Sequence, residues 1–194
     1  MQAVRLQPNF AEVHNNLGVA FLQLGRAQEA VAEYEQALQI KPDYADAHYN
    51  LGIALEQTGK TEEAIAQFDQ ALRIRSDSAE AHDKLGIALA QAGRASEAME
   101  QWKEALRIKP DFAEAHYNYG VTLQKQGRFP EAIGHYEQVL RINPDRVEAH
   151  YNLAVALEKA GRVPEAIQHY QQALRLRPDL TAARNALTRL GAGQ

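Results

Sequence analysis

The sequence contains no cysteine, so it can hold neither a disulfide framework nor a thiolate nucleophile. Aromatic residues make up only 7% of the chain, and there is a single tryptophan. No apolar run approaches the roughly 20 residues that cross a bilayer, and residues 1–8 lack the charged-then-apolar layout of a signal peptide. These absences predict a cytoplasmic protein without a membrane partner.

Basic charge is also scarce. The chain has 21 lysines and arginines against 25 acidic residues, a net charge of −4, whereas phosphate binding needs a concentrated basic surface. There is no nucleophile with a base beside it, no glycine-rich phosphate loop and no H-E-x-x-H motif. We therefore expect no nucleic-acid partner, no cofactor and no enzymatic activity.

The chain has instead a 34-residue repeat without gap or insertion, which is typical of a solenoid. Position 1 of the repeat is Ala11, Ala45, Ala79, Ala113 and Val147. Glycine occupies position 15 (Gly25, Gly59, Gly93, Gly127 and Gly161). Alanine occupies position 20, and an aromatic residue occupies position 24 (Tyr34, Phe68, Trp102, Tyr136 and Tyr170). Proline falls at position 32, except at Ser76.

Each repeat is predicted to form two helices. Helix A runs to about position 14 and stops at the glycine, which adopts left-handed backbone angles without penalty. Helix B begins near position 18 and stops at the proline of position 32. An Asn or Asp before each helix A, three residues ahead of an acid, predicts a capping-box-like start (Asn9, Asp43, Asp77, Asp111 and Asp145). Glycine or alanine at position 8 and alanine at position 20 are expected to let the two helices approach closely.

The segments A-E-A-H-Y-N-Y-G, Q-G-R and E-A-I-G-H-Y, at 113–120, 126–128 and 131–136, resemble the tetratricopeptide repeat (TPR). The resemblance covers essentially the whole chain and implies an all-α fold, a right-handed superhelical solenoid of antiparallel helix pairs. One departure recurs, since position 4, often tryptophan in that family, is histidine here. The repeat style is similar to the TPR region of O-linked N-acetylglucosamine transferase and of bacterial TPR proteins.

The repeat register predicts one solenoid over residues 1–194. Residues 1–10 are interpreted as the remnant of a preceding helix B, and the start suggests a fragment cut from a longer protein. Five full repeats follow, at 11–44, 45–78, 79–112, 113–146 and 147–180. Residues 181–194 are predicted to form a terminal capping helix.

The candidate binding residues lie on one arc of helix A, at positions 2, 5, 6, 9, 12 and 13. The family resemblance places this arc, here called the inner face, on the concave side of the solenoid. Position 6 holds Asn16, Asn50, Lys84, Asn118 and Asn152. Position 5 includes Tyr49, Tyr117 and Tyr151. Position 9 holds Val19, Ile53, Ile87, Val121 and Val155.

Each of these rows admits two interpretations. A primary amide both donates and accepts, so the asparagines can pair with an extended peptide backbone. An inner asparagine ladder does this in the glycosyltransferase repeats that the chain resembles. Alternatively, the asparagines bond to a neighbouring helix or simply face solvent. The aliphatic row either forms the floor of a groove walled by tyrosines or wedges between adjacent A helices.

The seven histidines do not predict a metal site, because those of one row recur every 34 residues, too far apart for ligands about 2 Å from one ion. The sequence therefore predicts a scaffold that binds a protein or an extended peptide. Two alternatives stay open: a homo-oligomerisation module that uses exposed repeat edges, and a substrate-recruiting arm of a larger glycosyltransferase.

Overall fold

The computed structural model describes residues 7–192, and this part of the chain consists of α-helices joined by short turns, with no strand. Its eleven helices are α1 Gln7–Gln23, α2 Ala27–Ile40, α3 Ala45–Gln57, α4 Thr61–Ile74, α5 Ala79–Gln91, α6 Ala95–Ile108, α7 Ala113–Lys125, α8 Phe129–Ile142, α9 Val147–Lys159, α10 Val163–Leu176 and α11 Thr181–Arg189. The all-α fold and the two helices per repeat are confirmed.

The chain divides into two compact units. Unit 1 is Met1–Ile108 and contains α1 to α6, whereas unit 2 is Lys109–Gln194 and contains α7 to α11. In unit 1, each odd-numbered helix packs on the helix that follows it, and the three A helices α1, α3 and α5 are consecutive neighbours. In unit 2, the pairs are α7–α8 and α9–α10, α7 neighbours α9, and α11 packs on α10. Inner-face residues at the same repeat position therefore lie on neighbouring helices within each unit.

The glycine of position 15 ends helix A as predicted, with φ between +73° and +80° in all five repeats. The amide of the next residue reaches back to the carbonyl of position 11, as in the 2.9 Å bond from Lys60 N to Leu55 O. This six-to-one bond is the Schellman motif, which requires a left-handed residue and therefore favours glycine. It turns the chain so that helix B returns along helix A.

The small residue at position 8 makes room for the aromatic residue at position 24. A Cβ on Gly52 would lie 2.6 Å from the ring of Phe68, and one on Gly120 would lie 2.9 Å from the ring of Tyr136. The position-24 side chains are at most 1% exposed, so they form the centre of each repeat's core. Alanine at position 20, one turn earlier on the same helix B, is also fully buried.

The predicted capping boxes are wrong. Helix A begins one residue later than the pattern suggested, with Tyr44, Ser78, Phe112, Arg146 and Leu180 as N-caps. Among these five residues, only Ser78 caps with its side chain, accepting a 3.2 Å bond from the amide of Ala81. The acids of position 2 form ion pairs instead: Arg177 donates to Glu148 at 2.6 Å, and Arg75 pairs with Asp46. These pairs are exposed, so each contributes little to stability.

The first helix also differs from its prediction. Residues 1–6 of the predicted helix B remnant lie outside the described residues, and residues 7–10 belong to α1, which continues to Gln23. Pro8 therefore lies in the first turn of a helix, where its missing amide hydrogen costs nothing. At the other end, α11 is the single helix expected after the fifth repeat, and Arg184 donates to the carbonyl of Pro178 at 2.6 Å.

Candidate functional site

Two of the position-6 amides, Asn50 and Asn152, are oriented by the repeat before them. The Asn50 side-chain amide donates to Asn15 Oδ1 at 3.0 Å, and the Asn152 amide donates to Tyr117 Oη at 3.0 Å. Both bonds run from position 6 of one repeat to position 5 of the preceding repeat. Of the two sequence interpretations, the bond to a neighbouring helix is therefore present. An amide has two N–H groups and a carbonyl, so one such bond leaves Asn50 and Asn152 with capacity for a ligand.

The position-5 tyrosines pack against the aromatic residues at position 24. The rings of Tyr117 and Tyr136 have centroids 6.1 Å apart and tilted by 56°, and Tyr151 and Tyr170 are 5.8 Å apart. Tyr49 contacts Phe68 in the same way, at 6.0 Å. Because these tyrosines are half-buried and held against rigid neighbours, they present fixed walls to the inner face.

The third repeat replaces this aromatic pair with a polar one. Position 5 is Asp83, which is only 5% exposed, and Trp102 donates its indole N–H to the Asp83 carboxylate at 3.0 Å. Asp83 therefore belongs to the core of the repeat and not to the wall of a groove. Sequence reasoning missed the pairing, although repeat 3 is the repeat that combines an acid at position 5 with tryptophan at position 24.

The inner face of the third repeat also differs in charge. Lys84 takes the place of an asparagine and is half-buried. Its ammonium group interacts electrostatically with the carboxylate of Glu56 on the preceding helix A. Burial raises the pKa of Glu56, and the Asp83 carboxylate adds to this effect, whereas the Lys84 ammonium opposes it. The amide row in unit 1 is therefore interrupted by a lysine beside a carboxylate.

The position-9 row is half-buried in all five repeats. Val19, Ile53 and Ile87 lie on neighbouring A helices in unit 1, as do Val121 and Val155 in unit 2. Partial burial means that each side chain contacts its neighbours and still offers apolar surface. Both interpretations of this row, wedge and groove floor, are compatible with that exposure.

The histidines form pairs that sequence reasoning missed. Position 4 of helix A meets position 23 of helix B, so His116 Nδ1 lies 2.9 Å from His135 Nδ1, and His150 Nδ1 lies 3.0 Å from His169 Nδ1. Histidines of one row are 34 residues apart and lie in different repeats, whereas these partners are 19 residues apart and lie in the same repeat. Within residues 7–192, no three His, Asp or Glu side chains converge as metal ligands.

The surroundings of His116, His135 and His169 favour the neutral form of these three rings. Burial lowers the pKa of His135 to about 4, and the nearby His116 contributes to the shift. Burial also lowers the pKa of His116 and of His169. Two adjacent charged imidazoles would repel each other strongly, which favours the neutral form of His135 beside His116.

Comparison with known proteins gives the family. Models described as "TPR repeat" match residues 20–59, 54–93 and 88–127, and models described as "Tetratricopeptide repeat" match residues 1–32 and 121–181. No curated protein sequence matches the chain. No helix within residues 7–192 is both long enough and apolar enough to cross a membrane.

Solved structures share the fold. The chain is similar to YrrB, a TPR protein with an unusual peptide-binding site, at 22% identity and a TM-score of 0.80 over 96% of both chains. It is similar to MamA at 24% identity and a TM-score of 0.78, over 85% of this chain and 96% of that one. MamA from Desulfovibrio magneticus RS-1 gives 19% identity and a TM-score of 0.80, over 88% and 96%. With family models that match more than half of its length, and with the repeat geometry described above, the chain belongs to the tetratricopeptide-repeat family.

Proposed function

We propose that the chain is a non-catalytic scaffold that binds an extended peptide of a partner protein on the inner face of its A helices. The observation that carries the proposal is the fixed orientation of two position-6 amides, Asn50 and Asn152, by position 5 of the preceding repeat. An amide that is already held in place loses little conformational freedom when it binds a ligand, so its hydrogen bond contributes more to affinity.

The chemistry of the surrounding rows supports a peptide as the ligand. An extended peptide exposes alternating N–H and C=O groups, which an amide can pair with regardless of sequence. The tyrosines offer large, rigid contact area beside the amides, and the aliphatic residues of position 9 offer apolar surface. In unit 1 the proposed contacts are Asn16, Asn50, Lys84, Tyr49, Val19, Ile53 and Ile87. In unit 2 they are Asn118, Asn152, Tyr117, Tyr151, Val121 and Val155.

YrrB supports this proposal by analogy of fold, since it is a TPR protein with a peptide-binding site. Its identity to this chain is 22%, so the analogy concerns the scaffold and not individual contacts. The cytoplasmic location, the lack of nucleic-acid or membrane partners and the glycosyltransferase-arm alternative all stay predictions.

The experiment begins with selection of binding peptides from a random peptide display library against the whole chain. Three selected peptides of unrelated sequence are then synthesised, together with analogues methylated on alternate backbone nitrogens. We expect the methylated analogues to bind at least about tenfold more weakly, because methylation removes the donors that the amides accept from. Equal affinity of all methylated analogues would contradict backbone recognition.

A matched pair of variants locates the surface. Asn50→Ala removes an inner-face amide, whereas Gln70→Ala removes an exposed amide on helix α4 of the same repeat. The proposal expects weaker peptide binding for Asn50→Ala and parental binding for Gln70→Ala. The reverse pattern would place the ligand on the helix B side.

A second candidate function, self-association, rests on a separate observation. Helix α1 exposes an apolar stripe in which Phe10, Val13 and Leu17 are 57%, 51% and 44% exposed. The equivalent of Leu17 in the next repeat, Leu51, is only 4% exposed because the preceding helix B covers it. The stripe is therefore an apolar surface that corresponds to a buried surface in the next repeat. We take a second copy of the chain as the partner to test.

A further inference from the structure

Repeats 4 and 5 each place two imidazoles side by side between helix A and helix B, with their rings tilted by 47° and 31°. The Nδ1 atoms are 2.9 Å apart in the His116–His135 pair and 3.0 Å apart in the His150–His169 pair. His116 and His150 are buried, at 9% and 8% exposed, and their partners are half-buried. The same arrangement occurs twice in unit 2, on α7–α8 and on α9–α10.

The second nitrogen of each buried ring has a defined partner. His116 Nε2 lies 3.1 Å from the carbonyl oxygen of Pro110, and His150 Nε2 lies 2.8 Å from that of Pro144. A carbonyl oxygen only accepts, so Nε2 carries the hydrogen and donates it. In a neutral ring Nδ1 then bears a lone pair, which points at the partner histidine. Histidines that bind metals have this arrangement, with one nitrogen free and the other donating to a backbone carbonyl.

We propose that each histidine pair binds a divalent late transition metal ion such as Cu²⁺ or Ni²⁺. The two Nδ1 atoms of the pair would be the protein ligands of the ion. Metal–imidazole bonds are about 2.0–2.1 Å long, so a separation of 2.9 Å between the nitrogens corresponds to an angle of about 90° at the metal. Adjacent positions of a square-planar or tetragonal complex have this angle, and Cu²⁺ and Ni²⁺ favour that geometry. Mg²⁺ and Ca²⁺ prefer oxygen ligands and do not fit.

Binding requires a rearrangement of protons and a rotation of both rings, which turns the two Nδ1 lone pairs from each other towards the ion. In the free pair, the partner ring (His135 or His169) donates a hydrogen from Nδ1 to the lone pair of the buried ring. When the metal binds, that hydrogen moves through solvent to Nε2 of the same ring, and both Nδ1 lone pairs then coordinate the ion. No electron is transferred and the net number of bound protons is unchanged. Water fills the other positions, because no third protein ligand converges there among the described residues.

The chain supplies its own control positions. In repeats 2 and 3 the same position-23 site is glutamine, and His48 Nδ1 lies 2.7 Å from Gln67 Oε1 while His82 Nδ1 lies 2.8 Å from Gln101 Oε1. Glutamine is therefore accepted by this fold at this place, facing the same histidine. The substitutions His135→Gln and His169→Gln copy an arrangement that already exists twice in the chain.

The test is a calorimetric titration of the whole chain, freed of metal with a chelator, with CuCl₂ and then with NiCl₂. The parent should bind two ions, His135→Gln and His169→Gln one each, and the double variant should lose both, with residual binding at least about tenfold weaker. Thermal unfolding without metal shows whether each variant is folded. With metal, the melting temperature should rise for the parent and not for the double variant.

Full-strength Cu²⁺ binding by a folded double variant would overturn the proposal and assign the ion to other surface groups. Should a variant fail to fold, pulsed EPR of the parent with one equivalent of Cu²⁺ decides instead, since two imidazole nitrogens are expected per ion. One imidazole or none would contradict the site. Titration with MgCl₂ should give no binding, and Gln70→Ala should bind Cu²⁺ like the parent because Gln70 is exposed on α4 in unit 1.

Discussion

Trp102 donates its indole N–H to the carboxylate of Asp83 at a distance of 3.0 Å, and both side chains are buried in the third repeat. In the second repeat the same two positions hold Phe68 and Tyr49, whose rings pack against each other. A polar pair in one repeat thus occupies the place of an aromatic pair in another. In these two repeats the side chains at positions 5 and 24 contact each other directly, so we expect the two positions to act together.

This relationship predicts a strong coupling between the two residues. Trp102→Phe should destabilise the chain by about 1–3 kcal/mol, because it removes a donor from a buried carboxylate. Adding Asp83→Tyr should restore part of the loss, since the double variant recreates the Tyr49–Phe68 pair. Urea unfolding of the parent, both single variants and the double variant gives the coupling energy. Purely additive effects would show that the two positions are independent.

Two glycines in different surroundings, Gly52 at position 8 and Gly134 on helix α8, predict opposite effects of substitution by alanine. Gly52→Ala should destabilise by about 1–3 kcal/mol, because its Cβ would lie 2.6 Å from the Phe68 ring. Gly134→Ala, in the exposed part of α8, has no atom within 4 Å of the new Cβ and should stabilise by about 0.4–1 kcal/mol. Thermal melts of the two variants check the signs. Stabilisation by Gly52→Ala would mean that helix and ring are further apart than described.

The repeat determined which parts of this fold could be predicted. The glycine at position 15 and the aromatic at position 24 fix the turn and the core because their roles are local and recur in every repeat. The helix starts were predicted one residue early, since Asp43 and its counterparts suit a cap while the backbone places the N-cap at the next residue. Contacts between helices were harder, because a 19-residue spacing such as His116 to His135 has no signature in one sequence.

The same limit applies to the candidate site. The inner-face rows could be placed on one arc of helix A from the helical period alone. The hydrogen bond from Asn152 to Tyr117 could not be predicted in this way. Whether two residues 35 apart come into contact depends on how the stacked helices are offset from each other. Asp83 was placed on the inner face by the same period, yet its side chain turns into the core because Trp102 offers a donor there.

The histidine pairs predict a stability that falls in mild acid. His135 has a pKa of about 4 in the folded chain against about 6.5 when unfolded, so the unfolded state binds the extra proton between these values. Stability should therefore be constant above pH 6.5 and decrease as the pH falls towards 4, by about 1–3 kcal/mol. The nearby Glu131 carboxylate opposes part of the pKa shift and limits this loss.

Urea unfolding at pH 7 and at pH 5, with a chelator present, measures that loss. His135→Gln should lose less stability between the two pH values than the parent. His48→Gln is the matched control, because it replaces a position-4 histidine whose partner is a glutamine. An identical pH dependence in the parent and in His135→Gln would contradict the assignment.

The exposed stripe of α1 predicts weak self-association. Leu17→Glu should reduce any concentration-dependent dimerisation, since a charge at the centre of the stripe opposes burial of Phe10 and Val13. Ile74→Glu places the same charge at another exposed apolar position, 42% exposed at the end of α4, and should have no effect. Analytical ultracentrifugation over a range of concentrations compares the three chains. A parent that is strictly monomeric at the highest concentration would remove self-association from consideration.

The inner-face amides give the most direct test of the proposed function. A variant with Asn16, Asn50, Asn118 and Asn152 all changed to alanine should remain folded, because none of the four side chains is buried. Losing the bonds from Asn50 and Asn152 to the preceding repeat should lower the melting temperature only slightly. Each lost contact should cost about 0.5–1.5 kcal/mol, so peptide binding should weaken by about 10² or more. The loss should be similar for peptides of unrelated sequence, because an amide pairs with backbone groups.

Calorimetric titration of the selected peptides, beside a thermal melt of the same samples, is the measurement that decides. The account predicts a near-parental melting temperature together with a large and sequence-independent loss of affinity. A folded quadruple variant that binds the peptides at full strength would contradict it, and would leave the tyrosine and aliphatic rows as the binding surface.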